Sequence, residues 1–564
     1  MNRISLAVRI FLPFVLLSSS VPGAWAATFR NTGRNRSGRS AAGRPRAVPA
    51  AQLSAALGAE TSPTEVIVQV PRSLSARVDA DLAFDFGLDR VEERLWEQSG
   101  RAGLPADWVG RFQARPLGSI ALINTMVYAV PAERQAEFIA DLRARGYDAQ
   151  AGKVYRVPEP VLIEPGLVAE IGLREMAKLI GADKLQAEIE RVIGPPAPGV
   201  AANLRIPWAL MDTYMQSDSH PYLKGRFLKE IAGAPDGQYH GFHVGGITIG
   251  SDRYNYEGHG LNIFPKGSAT EGDILLKLNM AVSELGVITT GNSWGDRQGQ
   301  VSDRFMPGQT GGDKIGTLME KQALELGVHH SISAGNSGSR PNTTGGPAIG
   351  TAQVGLELHG KKIGLLDRMQ AIAAGDANRV IATFSSRGKW SPWITRNNAD
   401  GRLNDYPRRP ARTAIGVQVI APLPPGSGRH IDELGGPGGP LSGTSMSRPQ
   451  DHGAKMLLAR ALLVLLGDYI PASSDPRAQL ALVLDIAEWA MAQSAQKHNE
   501  EADYEIKYGN GFIDVWRAFE LAAATMKASA PASLLRMARA SAYGEQLIRQ
   551  LVFTSEGVRL RGAR

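Results

Sequence analysis

The period of hydrophobic and polar positions changes along the chain, and those changes divide it. TEVIVQV (64–70) is a contiguous β-branched run and predicts a strand. LDRVEERLWEQSG (88–100) has helical spacing, SIALINTMVYAV (119–130) is strand-like, and PAERQAEFIADLRARG (131–146) is again helical. YDAQAGKVYRV (147–157) closes the series as a last strand. Strand, helix, strand, helix, strand predicts a small α+β domain over 64–160, followed by the connector PEPVLIEPG (158–166). An amphipathic helical stretch at 167–193 is broken by GPPAPG (194–199).

From 200 onward, apolar strand-like runs alternate with helical patterns. The segments are IPWALM, FHVGGITIG, ILLKLNMAVSELG then VITTGNS, LMEKQALELG then VHHSISAG, and VQVIAP (417–422). This alternation predicts an α/β domain over 161–526: a doubly wound, mostly parallel sheet with helices on both faces. In such sheets functional residues gather at the carboxyl ends of the strands. No repeat of solenoid period is present.

Composition adds compartment and partners. The 564 residues are 43% apolar and 21% charged, enough for two or three globular domains. The net charge of +7 is concentrated toward the ends. Arg30, Arg34, Arg36, Arg39, Arg44 and Arg46 share a stretch without acidic, aromatic or periodic apolar residues, which predicts a flexible linker (27–63) and not a nucleic-acid arm. Residues 1–26 have the layout of a secretory signal: Arg3 and Arg9, the short apolar run IFLPFVLL, and AWA at 24–26. They predict export to the periplasm or outside the cell, with no membrane association afterwards. With no cysteine, disulfides, thiolate catalysis and cysteine-bound metals are excluded. Residues 527–564 form a basic tail with weak helical spacing.

LSGTSMSRPQ (441–450) places Ser445 in a small-residue turn before a long apolar run of helical spacing. A serine there lies near unpaired backbone N–H groups, where negative charge is stabilised. To act as a nucleophile it needs a base, an orienting carboxylate and oxyanion donors. HGFHVGG offers His240 as base, with His243 as a packed neighbour or, in the other reading, a metal partner. Asp212 ends the apolar run before MDTYM, where a carboxylate must be paired or hydrogen-bonded. Asn336, beside Gly335 in SISAGNSGS, is the candidate oxyanion donor, a left-handed loop asparagine being the plainer alternative. Ser293, Trp294 and Gly295 in TTGNSWGD leave backbone open for an added peptide strand.

Together these segments resemble the subtilisin-like serine endopeptidases, in the order Asp…His…Ser. The matching motifs are MDTYM, HGFHVGG, NSWG, AGNSG and SGTSMSRP, with echoes in FSSRG, VQVIAP and YGNGFIDVWRA; they span roughly 165–525. The resemblance implies a nucleophile at Ser445, a base at His240, an orienting carboxylate at Asp212 and an oxyanion hole from Asn336 and the Ser445 N–H. It implies that Ser293 to Gly295 and Gly335 bind substrate and that the 64–160 domain is a self-removed inhibitory propeptide, cut between about 157 and 200. It implies polypeptide substrates and no cofactor for the chemistry, and it is compatible with structural calcium. Departures stand at Tyr214 and at Ser447, Arg448, Gln450 and Asp451 after the nucleophile, and they bear on pocket shape and substrate preference. A long interval between Asn336 and Ser445 predicts an insertion near 355–415. The competing reading is a non-catalytic peptide-binding protein on the same fold.

Overall fold

The structure, a computed structural model, describes residues 64–69, 106–157, most of 160–531 apart from 232–237, 296–313, 389–408 and a few single positions, and 551–554 with 557–560. The signal-like segment, the arginine-rich stretch and the helix expected at 88–100 lie outside the described residues. The chain divides into two compact units: residues up to Val154 with Thr270–Asn279, and Tyr155–Ala269 with Met280 onward.

The first unit is an antiparallel sheet of order β2-β3-β1-β4, built from β1 (Thr64–Gln69), β2 (Arg115–Ile120), β3 (Thr125–Val130) and β4 (Asp148–Ala151), with helices α1 (Ala106–Arg111) and α2 (Ala132–Ala144). SIALINTMVYAV, expected as one strand, is the end of β2, a tight turn and β3. Asn124 takes a left-handed φ of 49° there and reverses the chain. The expected last strand is likewise split, into β4 and β5 (Val154–Arg156). On α2, Phe138 and Leu142 share a buried cluster with Val66, Val68, Met126, Tyr128 and Val130.

Glu65 is a polar residue within this apolar sheet. Its carboxylate accepts hydrogen bonds from the Gly272 N–H at 2.8 Å and the Thr270 hydroxyl at 2.5 Å. Burial nonetheless pushes its pKa up to about 7, and Asp273 and Glu271 add to the rise. A folded pKa above the ordinary 4.5 means that the folded unit binds this proton more tightly than the unfolded chain does. Stability is therefore greatest below about 4.5 and falls as pH rises toward 7. Intrinsic-rate-corrected hydrogen exchange of β1 should show less protection at pH 8 than at pH 5, and Glu65→Gln should remove most of that difference. An unchanged slope in the variant contradicts the assignment.

The second unit carries the parallel sheet. It comprises β6 (Trp208–Asp212), β7 (Phe227–Ile231), β8 (Gly258–Asn262), then, after the short β9 (Ser268–Thr270), β10 (Thr289–Asn292) and β11 (His329–Ser333). A hairpin of β12 (Gln353–Leu358) and β13 (Lys361–Asp367) follows before β14 (Met369–Gly375) and β15 (Arg412–Ile415) rejoin the sheet. The stretch expected as an insertion thus holds this hairpin and also two strands of the central sheet. The order is β15-β14-β11-β10-β6-β8-β7, every pair parallel. From β6 the chain crosses to the edge strand β7 and comes back to β8 beside β6, then passes to the other side and builds outward through β10, β11, β14 and β15. The direction reverses between β6 and β10, which opens a crevice at their carboxyl ends.

The helices are α3 (Leu173–Leu179), α4 (Ala182–Ile193), α5 (His240–Ser251), α6 (Glu271–Ser283), α7 (Lys314–Leu326), α8 (Thr444–Leu466), α9 (Pro476–Ser494) and α10 (Val515–Ser529). FHVGGITIG is not a strand but most of α5, which is buried along its whole length. Its glycines permit that packing: a Cβ on Gly246 would stand 2.1 Å from Pro422. VQVIAP lies outside the central sheet. It contributes β16 (Val419–Pro422) to an antiparallel trio with β17 (Arg429–Ile431) and β18 (Gly436–Leu441). In the basic tail the described residues form an antiparallel pair, β19 (Leu551–Thr554) and β20 (Gly557–Leu560), where weak helix was expected. Among the described residues, no helix is long and apolar enough to cross a membrane.

Candidate active site

The crevice between β6 and β10 collects the predicted residues. Asp212 is the last residue of β6, beside the Met211–Asn292 pairing with β10, and is 1% exposed. Its Oδ1 accepts from His240 Nδ1 at 2.8 Å and from the Thr213 N–H at 2.7 Å. His240 opens α5 and is also buried. The Thr213 hydroxyl accepts from the Gly241 N–H at 2.8 Å and so ties the start of α5 to the loop after β6. That approach needs glycine at 241, because a Cβ would lie 2.5 Å from the Thr213 carbonyl. A carboxylate only accepts, so Nδ1 carries the hydrogen and Nε2 of the neutral ring keeps its lone pair. Nε2 is buried and has no hydrogen-bond partner.

Ser445 stands in the first turn of α8. Its Oγ donates to the Ser293 carbonyl at 3.2 Å, while Ser293 Oγ donates to the Ser445 carbonyl at 3.0 Å. The reciprocal pair has a cause in the sequence. Pro449 lies one turn inside α8 and has no N–H to offer the carbonyl four residues back. The Ser293 hydroxyl fills that place. His240 Nε2 and Ser445 share no hydrogen bond, and Ser445 Oγ is engaged with the Ser293 carbonyl.

Asn336 follows β11. Its Oδ1 accepts from both the N–H and the hydroxyl of Thr444, each at 2.9 Å. Because a backbone N–H can only donate, this fixes the amide orientation and leaves Nδ2 as a donor directed elsewhere. Nδ2 stands beside Gly443, where a Cβ would come within 3.2 Å of it. Gly335 adopts φ +104°, and a Cβ there would strike Ser386 Oγ at 2.9 Å. These small residues keep the space before Ser445 open.

Trp294 is 1% exposed, so its ring is wall and not surface. It packs edge-on against Tyr155 at 6.0 Å and Phe264 at 6.3 Å between ring centres. Two backbone bonds follow Tyr155 in the chain: the Val157 N–H bonds the Gly267 carbonyl at 3.1 Å, and the Val161 N–H bonds the Ser442 carbonyl, three residues before Ser445, at 2.9 Å. Gly295 is half-buried, and a Cβ would stand 3.0 Å from the Gly346 carbonyl.

His243 is not placed as a metal ligand. Its Nε2 donates toward the Val419 and Gly439 carbonyls at 2.9 and 3.1 Å, and burial pushes its pKa down to about 3. Among the described residues, no group of three or more His, Asp and Glu is placed to hold a metal ion. The residues after Ser445 also sit differently from expectation. Gln450 bonds the Ile415 N–H at 2.8 Å and Asp451 pairs with Arg412, both fully buried in the core. Sequence reasoning missed Thr213, Thr444 and Tyr155. Threonine next to a functional residue is too common to signal itself, and Tyr155 becomes informative only once Trp294 is seen beside it.

No family model matches the chain, and no curated protein matches it. Solved structures do match. One is fervidolysin from Fervidobacterium pennivorans, a keratinolytic enzyme related to subtilisin, with 16% identity and a TM-score of 0.47. The match covers 82% of this chain and 62% of that one, so this chain spans under two thirds of the neighbour's length. The seven-stranded parallel sheet with its helices is an α/β fold.

Proposed function

We propose that this chain is an exported serine endopeptidase of the subtilisin-like type, made as a zymogen that processes itself. The observation that carries the reading is the Asp212–His240 pair at 2.8 Å, with an unpartnered Nε2, in the same crevice as Ser445. Ser445 Oγ attacks the scissile carbonyl as its proton passes to His240 Nε2. Asp212 holds the ring and stabilises its cation. The oxyanion is met by Asn336 Nδ2 and the Ser445 N–H at the positive end of α8. The C–N bond then breaks, His240 returns the proton to the leaving amine, and water cleaves the acyl-enzyme by the same route. No cofactor takes part in these steps.

The main-chain bond from Val161 to Ser442, close to Ser445, and the packing of Tyr155 against Trp294 support a peptide substrate held by backbone pairing and an aromatic contact. In this reading the residues before Tyr155 are an inhibitory propeptide, and the bond cut lies between about 157 and 200. Intact mass of the purified full chain, followed over time, tests this. Loss of an N-terminal fragment ending in that interval supports it, and a chain that stays whole while folded and concentrated contradicts it.

The oxyanion role carries its own expectation. Asn336→Ala should lower kcat for a fluorogenic peptide about 10²- to 10³-fold with little change in KM. A loss under threefold removes Asn336 from the site.

A further inference from the structure

One turn beyond Ser445, α8 carries Arg448, which is wholly buried. Long cations are almost never fully buried unless paired, yet among the described residues no carboxylate forms a salt bridge with this one. Its Nε donates to Ser293 Oγ at 3.0 Å, the same oxygen whose hydrogen goes to the Ser445 carbonyl. Its Nη1 lies 3.4 Å from His452 Nδ1, and His452 Nε2 faces the Thr289 hydroxyl at 3.0 Å. Its Nη2 is buried with no partner, as is Asp212 Oδ2. The carboxylates that favour its charge are Asp212 first, then Asp451. Room for the guanidinium depends on Gly291 in β10, where a Cβ would stand 2.0 Å from Nη1.

We propose that Arg448 is a positioning residue, which fixes the Ser293–Ser445 pair through its Nε. The proposal rests on the peptidase reading above. A hydrogen-bonded relay runs from Arg448 to Ser293 Oγ to the Ser445 carbonyl, and so holds the turn that carries Ser445 Oγ. Burial lowers the guanidinium pKa only to about 9, so it remains charged at neutral pH. Against it stand Ser293 after β10, Gly291 in β10 and His452 from α8. His452 is kept uncharged by burial, and Asp451 is held by Arg412. Removing the guanidinium therefore frees the Ser293 hydroxyl that caps the Ser445 carbonyl.

The test is the rate at which a fluorophosphonate labels the full chain between pH 5 and 9, for wild type, Arg448→Met and Arg448→Lys, each checked for folding by circular dichroism. The Met variant should label roughly 10- to 100-fold more slowly at pH 7.5, with the loss in the limiting rate at saturating probe and not in the probe's apparent affinity. Lysine cannot reproduce the Nε hydrogen bond, so its rate should stay low as well. If the Met variant does not fold, the Lys variant decides alone: a wild-type rate across the range overturns the proposal. A folded Met variant with the wild-type rate overturns it too. If wild type itself does not label, the peptidase reading fails first.

Discussion

Ser445→Ala should reduce peptide hydrolysis at least about 10⁴-fold while leaving the fold intact. The size of the effect follows from the chemistry, because no neighbouring group can replace the oxygen that becomes acylated. What remains in the variant is binding and the oxyanion donors at Asn336 and the Ser445 N–H, which still accelerate attack by water slightly. The fold should tolerate the change, since Oγ gives up a single hydrogen bond to the Ser293 carbonyl, worth about 1 kcal/mol. Hydrolysis of a fluorogenic peptide and circular dichroism measure the two halves. A Ser445→Ala variant that keeps a tenth of wild-type activity removes Ser445 as the nucleophile.

Arg412→Met should destabilise the second unit by about 3–5 kcal/mol. Arg412, at the start of β15, grips two carboxylates at once in the core. It reaches Asp451 with Nε at 2.5 Å and Nη2 at 3.0 Å, and Glu488 with Nη1 at 2.5 Å and Nη2 at 2.9 Å. Lys455 completes the group, at 3.5 Å from Glu488 and 3.0 Å from Gln370. Two cations and two anions balance, and losing one arginine leaves a net buried negative charge. Burial alone would raise the Glu488 carboxyl, but Arg412 first and then Lys455 hold it below its ordinary value. A depressed carboxyl contributes stability above its unfolded pKa and loses it as pH falls. In the variant the Glu488 carboxyl instead becomes easier to protonate, so the gap to wild type should be widest near pH 8 and narrow toward pH 4. Urea denaturation at both pH values reads this. A variant within 1 kcal/mol of wild type at pH 8 contradicts the role of this cluster.

Much of the second unit was legible because its signals are local. Strands of a parallel sheet buried on both faces read as continuous apolar runs, and IPWALM, VITTGNS and VHHSISAG became β6, β10 and β11. The expected Asp212, His240, Asn336 and Ser445 lie together because each follows a strand end or opens a helix beside the crevice. Period alone misled at FHVGGITIG, where glycine and β-branched residues mimic a strand; the helix exists because those glycines let α5 approach Pro422 and Leu173. VQVIAP has strand composition, but nothing local says which sheet it joins. The charges within α8 were invisible as structure, because Asp451 finds Arg412 and Arg460 finds Asp252 and Glu257 only through distant segments. Arg448, whose position suggested an altered pocket, lies beneath the site and not in its wall.

The central claim is that His240 and Asp212 activate Ser445. Its most direct test is covalent labelling of the full chain by a fluorophosphonate, with the modified residue located by peptide mass mapping, in wild type, Ser445→Ala and Asp212→Asn. The account predicts a single adduct on Ser445 in wild type, none in Ser445→Ala, and labelling slowed about 10⁴-fold in Asp212→Asn, where the histidine tautomer is no longer fixed. Folded wild type that takes no label, or takes it at another residue, contradicts the account.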